Sequence, residues 1–355
     1  MAETADLTPD LIRARRADAP GLRDRDLAES LGISEAELVA AHVGGDGARR
    51  AVRVEAHPDR LMPAAEAFGE VMALTRNPSA VHEKIGRYGN YHPGAHAAMV
   101  LTEAVDLRIF PSHWRHAFLV EVEAEGGTRR SLQVFDAAGD AVHKVILREG
   151  SDLSAWARAT SDLAAGDQTQ TARVAPREAA EAAKSRPDRA DELRAEWRKM
   201  TDTHQFLRMV SKLKMNRLGA YRIAGAPFVR RLAPGAVDAA LHAVRDDGVE
   251  IMLFVGNRGC IQIHSGGIGT LHPMGPWQNV MDPDFNLHLR RDHLAEVWAV
   301  EKPTQRGPAV SLEAFDDAGR LILQCFAIPK EGRDSRPAWA RIVERLENAE
   351  DAPAP

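Results

Sequence analysis

The run from Thr201 to Arg217, TDTHQFLRMVSKLKMNR, holds the side chain best suited to metal chemistry. Thr201, Asp202 and Thr203 are all good helix caps, and Phe206, Leu207, Val210 and Leu213 recur at helical spacing. A helix with one buried stripe is therefore expected to begin here. His204 falls in its first turn, where the positive end of the helix dipole disfavours imidazolium. Neutral imidazole is the form that ligates metals. Taken alone, the stretch still favours a partly buried histidine whose ring is satisfied by the fold. His82, in AVHEKIG, reads as structural. HPGAH (His92, His96) and HWRH (His113, His116) have spacings that suit a metal, without the cysteine or carboxylate pair of a zinc site. His143, His272 and His288 read as strand histidines. Singly, Arg108, Arg217 and Lys302 read as surface cations, Phe254 as core and Gln324 as a hydrogen-bonding strand residue.

The elements that would position these residues are mostly strands. EIMLFVGNRGCIQIHSG has two apolar runs broken by Gly-Asn-Arg-Gly, a hairpin with a tight turn. NLHLRRDHLAEVWAVEKP and VSLEAFDDAGRLILQCFAI continue the pattern, so an antiparallel sheet is expected. Helices are expected at 22–43, about 190–216, 236–246 and 336–347. Residues 166–190 are polar and proline-punctuated and read as a connector. The tail 348–355 reads as disordered.

The chain also repeats itself. At an offset of 180, Glu70 falls on Glu250, Met72 on Met252, Asn77 on Asn257, His113 on His293, and SLQVFDAAGD on SLEAFDDAGR. No gap is needed between these points, and the period is too long for a solenoid. The expected fold is α+β: two duplicated halves, each a largely antiparallel sheet with flanking helices, the sheets packed together around a cleft. The divisions are 1–165 and 191–347 for the repeats, 166–190 for the linker and 348–355 for the tail. The copies are unequal, since His82 matches Gln262, so one asymmetrically bound ligand is expected rather than two.

Composition narrows the class. The 355 residues are 44% hydrophobic and 27% charged, ordinary for a globular protein. A formal charge of −5 argues against general nucleic-acid binding. Two cysteines, Cys260 and Cys325, suit a reducing compartment. No apolar run approaches the roughly 18 residues of a membrane span. The N-terminus has acids and no apolar core of a secretory signal. A soluble, cytoplasmic protein is expected.

FVGNRGCIQIHSGGIGTLHPMGPWQNVMDPDFNLHLR, with MTDTHQF at Met200 and AVHEKIG at Ala80, closely resembles the HemS/ChuS/HmuS family of bacterial cytoplasmic hemin-transport and haem-degrading proteins. The resemblance runs from about residue 20 to 345 and includes the duplication. It implies haem bound in a cleft, with His204 as the proximal ligand on iron and Arg108, in VDLRIF, approaching from the opposite side. It further implies contacts from Arg217, Phe254, Lys302 and Gln324, and leaves His82 open as a second contact. Phe326 stands where the family often has tyrosine, and Pro329, beside Lys330, replaces an arginine. Without a CxxCH motif, haem b (iron protoporphyrin IX) would be held non-covalently. No G-x-G-x-x-G or P-loop pattern points to a nucleotide.

Porphyrin chemistry agrees with this set: an axial donor, a flat apolar slot and cations for two propionates. In a continuous helix Arg217 would lie roughly 20 Å from His204 along the axis, so the helix should break or curve before it. The implied role is to receive imported haem for trafficking, for ring opening with iron release, or for both. The alternative is a non-catalytic carrier or store that hands haem to a separate oxygenase. The partners implied are haem, a haem ABC transporter and an electron donor, with a second copy of the chain also open. A different class comes from LRDRDLAESLGISEAELVAAH, 22–42, two short helices that could form a helix-turn-helix. Its second helix carries glutamates and no base-reading arginine or lysine, which favours a packing role.

Overall fold

The computed structural model describes residues 7–349. Strands dominate, and each reads out its sequence pattern. Ile251–Gly256 and Glu70–Arg76 alternate buried with half-exposed side chains, as a strand with one face on a core must. The strands form two nine-stranded sheets. The first runs Arg49–Val54, His116–Ala124, Gly127–Phe135, Ala141–Leu147, Glu70–Arg76, Ala80–Arg87, Phe285–Arg290, Trp277–Met281 and Leu271–Met274. The second runs Val229–Leu232, Glu296–Lys302, Ala309–Phe315, Leu321–Ala327, Ile251–Gly256, Cys260–Gly266, Asp106–Ile109, Ala98–Leu101 and Tyr91–His92. The duplication reaches even the irregularities: the ladder register shifts at Val134/Phe135 in one copy and at Ala314/Phe315 in the other.

Two compact units result. One takes the chain up to Arg76, His82–Glu178 and Gly256–Gln262; the other takes Asn77–Val81, Ala179–Val255 and Ile263 onward. The first hairpin turn of each repeat thus belongs to the unit built by the other repeat. Matching asparagines fix these turns. In the second unit Asn77 Oδ1 accepts the N–H groups of Ser79 and Ala80, and its Nδ2 donates to Ile322 O at 2.8 Å. In the first, Asn257 Oδ1 accepts from Gly259 and Cys260, and its Nδ2 donates to Val142 O at 2.8 Å. Val142 and Ile322 are themselves related by the repeat.

The helix expected at about 190–216 is two helices, Ala190–Arg198 and Gln205–Lys212, and a third, Arg217–Ala224, follows. Lys214 has a left-handed φ of 59°, and Asn216 caps the third helix through Gly219 N at 3.0 Å. Helices Pro9–Asp18, Pro58–Ala67 and Leu153–Asp162 carried weak signals; the first buries only Ile12. The segment 22–42 forms helices Asp24–Leu31 and Glu35–Ala40, and five of the six residues in the second are buried. Glu35 pairs with Arg76 and Lys144 of neighbouring strands. A helix so covered has no face for a DNA groove. The connector forms no regular element before the turn Pro187–Arg189. Of the tail, Asn348 bridges to Leu232 and Ala349 N–H donates to Arg231 O, while residues 350–355 lie outside the described residues. Among the described residues no helix is long and apolar enough to cross a membrane.

The first core holds a polar cluster that the second lacks. His143 Nδ1 is 2.8 Å from Thr75 Oγ1, and its Nε2 is 2.6 Å from the Tyr88 hydroxyl. The matching positions in the other repeat are Leu323, Val255 and Ile268, all apolar and buried. Burial lowers the His143 pKa from 6.5 to about 3. The folded ring therefore stays neutral while the unfolded ring takes a proton, so stability present above pH 6.5 is lost as pH falls towards 3. His143→Leu should flatten the acid limb of stability against pH by about 1.4 kcal/mol per pH unit within that window. Denaturation midpoints measured from pH 7 to 4 check this; parallel curves for variant and wild type would contradict it.

Candidate functional site

Alternation places most of the second repeat's candidates on one sheet face. Antiparallel register sets Phe254 opposite Gln324, Gln324 opposite Glu313, and Glu313 opposite Trp298. The next row sets Met252 opposite Phe326, Phe326 opposite Ser311, and Ser311 opposite Val300. Partners across an antiparallel ladder share a face. Phe254, Gln324 and Phe326 therefore lie side by side, all half-buried, and the two rings meet edge-on with centroids 5.3 Å apart. The opposite face, with Leu253, Val255, Leu323 and Cys325, packs into the second unit's main core with Trp339 and Val237.

The three helices between 190 and 224 cover the other end of this face. Trp197, Phe206 and Tyr221 form an aromatic cluster that packs with Trp298, Val300 and Phe315. The helix starting at Arg217 is seated on the connector: Asn216 Oδ1 accepts from Lys184 N at 2.9 Å, and Ser185 Oγ donates to Gly219 O at 2.9 Å. A Cβ at Gly219 would sit 1.9 Å from the Lys184 carbonyl oxygen, so only glycine permits this approach.

At the base of the face is a charge cluster centred on Glu313, which the sequence reading did not single out. Glu313 is fully buried. Lys302 Nζ lies 2.7 Å from Oε1, Arg217 Nη1 2.7 Å from Oε2, and the Tyr221 and Ser311 hydroxyls donate to it at 2.9 Å. Burial alone would raise the Glu313 pKa, but Lys302 and Arg217 outweigh it and hold the carboxyl well below its usual range. Lys302 is itself buried, its ammonium 5.0 Å from the Phe206 ring centroid. The Arg217 side chain keeps 21% exposure and is the cation of this pair that reaches towards solvent.

His204 is the N-cap of helix Gln205–Lys212 rather than a first-turn residue. Asp202 displaces the expected capping pattern: its Oδ1 accepts the His204 backbone N–H at 2.7 Å and lies 2.6 Å from Nδ1 of the ring. The imidazole is 93% exposed. With Nδ1–H directed at the carboxylate, the Nε2 lone pair faces outward. That is the donor a metal needs.

Arg108 and His82 belong to the first unit. Arg108, on strand Asp106–Ile109, is ion-paired with Asp106, and its side chain is 33% exposed. His82 is fully buried in strand Ala80–Arg87. Lys330 is exposed in the segment after strand Leu321–Ala327. Among the described residues no group of three His, Cys, Asp or Glu side chains is placed to hold a metal ion.

The repeats differ at this face. Positions matching Phe254, Phe326, Lys302 and Glu313 are Leu74, Ile146, Val122 and Gln133. The position matching Gln324 is Lys144, which is committed to Glu35. The paired rings and the Glu313 cluster occur in the second repeat alone.

A family model described as the haemin-degrading HemS.ChuX domain matches residues 32–163 and again 214–346. The hemin transport protein HmuS of Yersinia pestis is 38% identical over 338 residues, 95% of this chain and 96% of that protein. The chain belongs to the HemS/ChuX family. Among solved structures, holo-PhuS, a heme-binding protein from Pseudomonas aeruginosa, matches with a TM-score of 0.90 at 39% identity, covering 98% of this chain and 100% of that one. ChuS, an E. coli heme oxygenase, matches with a TM-score of 0.83 at 32% identity, covering 94% and 99%.

Proposed function

We propose that this protein binds one molecule of haem b, non-covalently, as cargo or substrate in the cytoplasm, with His204 Nε2 on iron. The observation that carries the reading is that Phe254, Gln324 and Phe326 share one sheet face with Glu313, the partner of Arg217, while the helices covering the other end of that face begin on an exposed histidine. The rings of Phe254 and Phe326 form an apolar wall for the macrocycle, and Gln324 adds a hydrogen-bonding group beside them. Arg217 meets a propionate, the planar guanidinium suiting a carboxylate. Lys302 adds positive potential from beneath Arg217 rather than a surface contact. In this reading Arg108 is a second haem contact, supported by the resemblance of VDLRIF to the family's motif; it donates hydrogen bonds and takes up no proton. His82 is a structural residue in this reading.

Supply by a haem ABC transporter and delivery of electrons by a reductase are the partner relations the role requires. Relatives named for hemin transport and for heme degradation support two fates for the same cargo, and we favour ring opening with iron release. Protein loaded with one equivalent of hemin and given ascorbate in air should lose its Soret band, yield a ring-opened tetrapyrrole and release iron. A Soret band that persists, with haem passing intact to an added apo-acceptor, would establish the carrier instead.

A further inference from the structure

The loop that presents His204 sets a carboxylate, that of Asp202, against the imidazole ring. We propose that Asp202 is the positioning residue of the iron ligand: its carboxylate accepts the Nδ1–H of His204, fixes the tautomer that leaves Nε2 free, and strengthens Nε2 as a donor. The inference rests on the reading of His204 as the ligand.

Asp202 Oδ1 is 2.7 Å from the His204 backbone nitrogen and 2.6 Å from Nδ1, so one oxygen ties the ring to its own helix terminus. The ring is 93% exposed, which leaves no packing to set its rotation. This hydrogen bond is therefore what sets it. The loop that carries the carboxylate is itself pinned by hydrogen bonds. Thr201 N–H donates to Gln205 Oε1 at 3.0 Å, Gln205 Nε2 donates to Thr201 Oγ1 at 3.1 Å, and Gln305 N–H donates to Thr201 O at 3.0 Å. Each polar residue of Thr-Asp-x-His-Gln thus has a part: Thr201 and Gln205 clamp the loop, Asp202 aims the ring, and His204 offers Nε2. A carboxylate on the far nitrogen of a metal-bound imidazole raises its basicity and tightens the metal bond. No proton leaves the ring; Nδ1–H is polarised towards the carboxylate. An anionic partner also favours ferric over ferrous iron.

The test uses the full chain loaded with hemin, comparing wild type, Asp202→Asn and His204→Ala. Asp202→Asn keeps a neutral acceptor of the same shape on an exposed loop, so thermal midpoints should match wild type. Its haem should leave for excess apomyoglobin about 10- to 100-fold faster. The iron–histidine stretching frequency of the ferrous form, read by resonance Raman, should fall, and the reduction potential should rise. A frequency, potential and off-rate equal to wild type would overturn the proposal while leaving His204 as ligand. An iron–histidine band surviving in His204→Ala would instead remove the ligand reading on which the proposal stands.

Discussion

His204→Ala is expected to lower haem affinity by about 100-fold or more, since loss of a ligand should exceed the 10- to 100-fold cost of losing the group behind one. The exposed imidazole makes few contacts of its own, so the folded protein should be as stable as wild type. What remains, the wall of Phe254 and Phe326 and the Arg217 charge, can still hold a macrocycle weakly. The Soret maximum should therefore move as well as weaken, because the iron exchanges imidazole for solvent. His82→Ala removes a ring from the first unit's interior and should cost stability without moving that maximum. Equal spectral shifts in the two variants, measured by hemin titration, would reverse the assignment.

Glu313→Gln carries the second large effect, on stability. The substitution leaves the two cations Lys302 and Arg217 without their shared counter-ion. Breaking a buried ion pair from one side costs about 3–5 kcal/mol. Urea unfolding followed by tryptophan emission should show a lowered midpoint at unchanged slope; a loss below about 1 kcal/mol would show the cluster to be better solvated than its burial implies. The first repeat suggests the remedy, since it carries Val122 and Gln133 at the matching positions. The double variant Lys302→Val/Glu313→Gln should recover part of the loss. The pH dependence has a definite sign. The Glu313 pKa is depressed in the fold, so its contribution is complete above the ordinary value of 4.5 and fades as pH falls below it. Glu313→Gln should lack that component.

Much of this was legible in the sequence because it depends on short-range pattern. Period-two alternation gave the strands, and matching at a fixed offset gave the duplication, down to the paired asparagines that hold each turn. The break before Arg217 follows from the distance a straight helix would impose, and Lys214 and Asn216 supply it. The position of His204 was misread by one step because three adjacent residues can cap a helix, and Asp202 bonds the His204 backbone rather than a later N–H. Glu313 was hidden for a different reason. Its partners lie 11 and 96 residues away, and only the strand register puts them around one carboxylate. A signal was present: Glu313 is the one charged residue of the strand AVSLEAF, flanked in sequence by Leu312 and Ala314, and an acid in such a strand calls for a buried cation.

The most direct measurement of the central claim is a crystal structure of the protein grown with hemin. The account predicts a single macrocycle against Phe254 and Phe326, its iron bonded to His204 Nε2 and a propionate on Arg217. Iron bonded to any other side chain, or a macrocycle seated on the first repeat's Leu74 and Ile146, would contradict it.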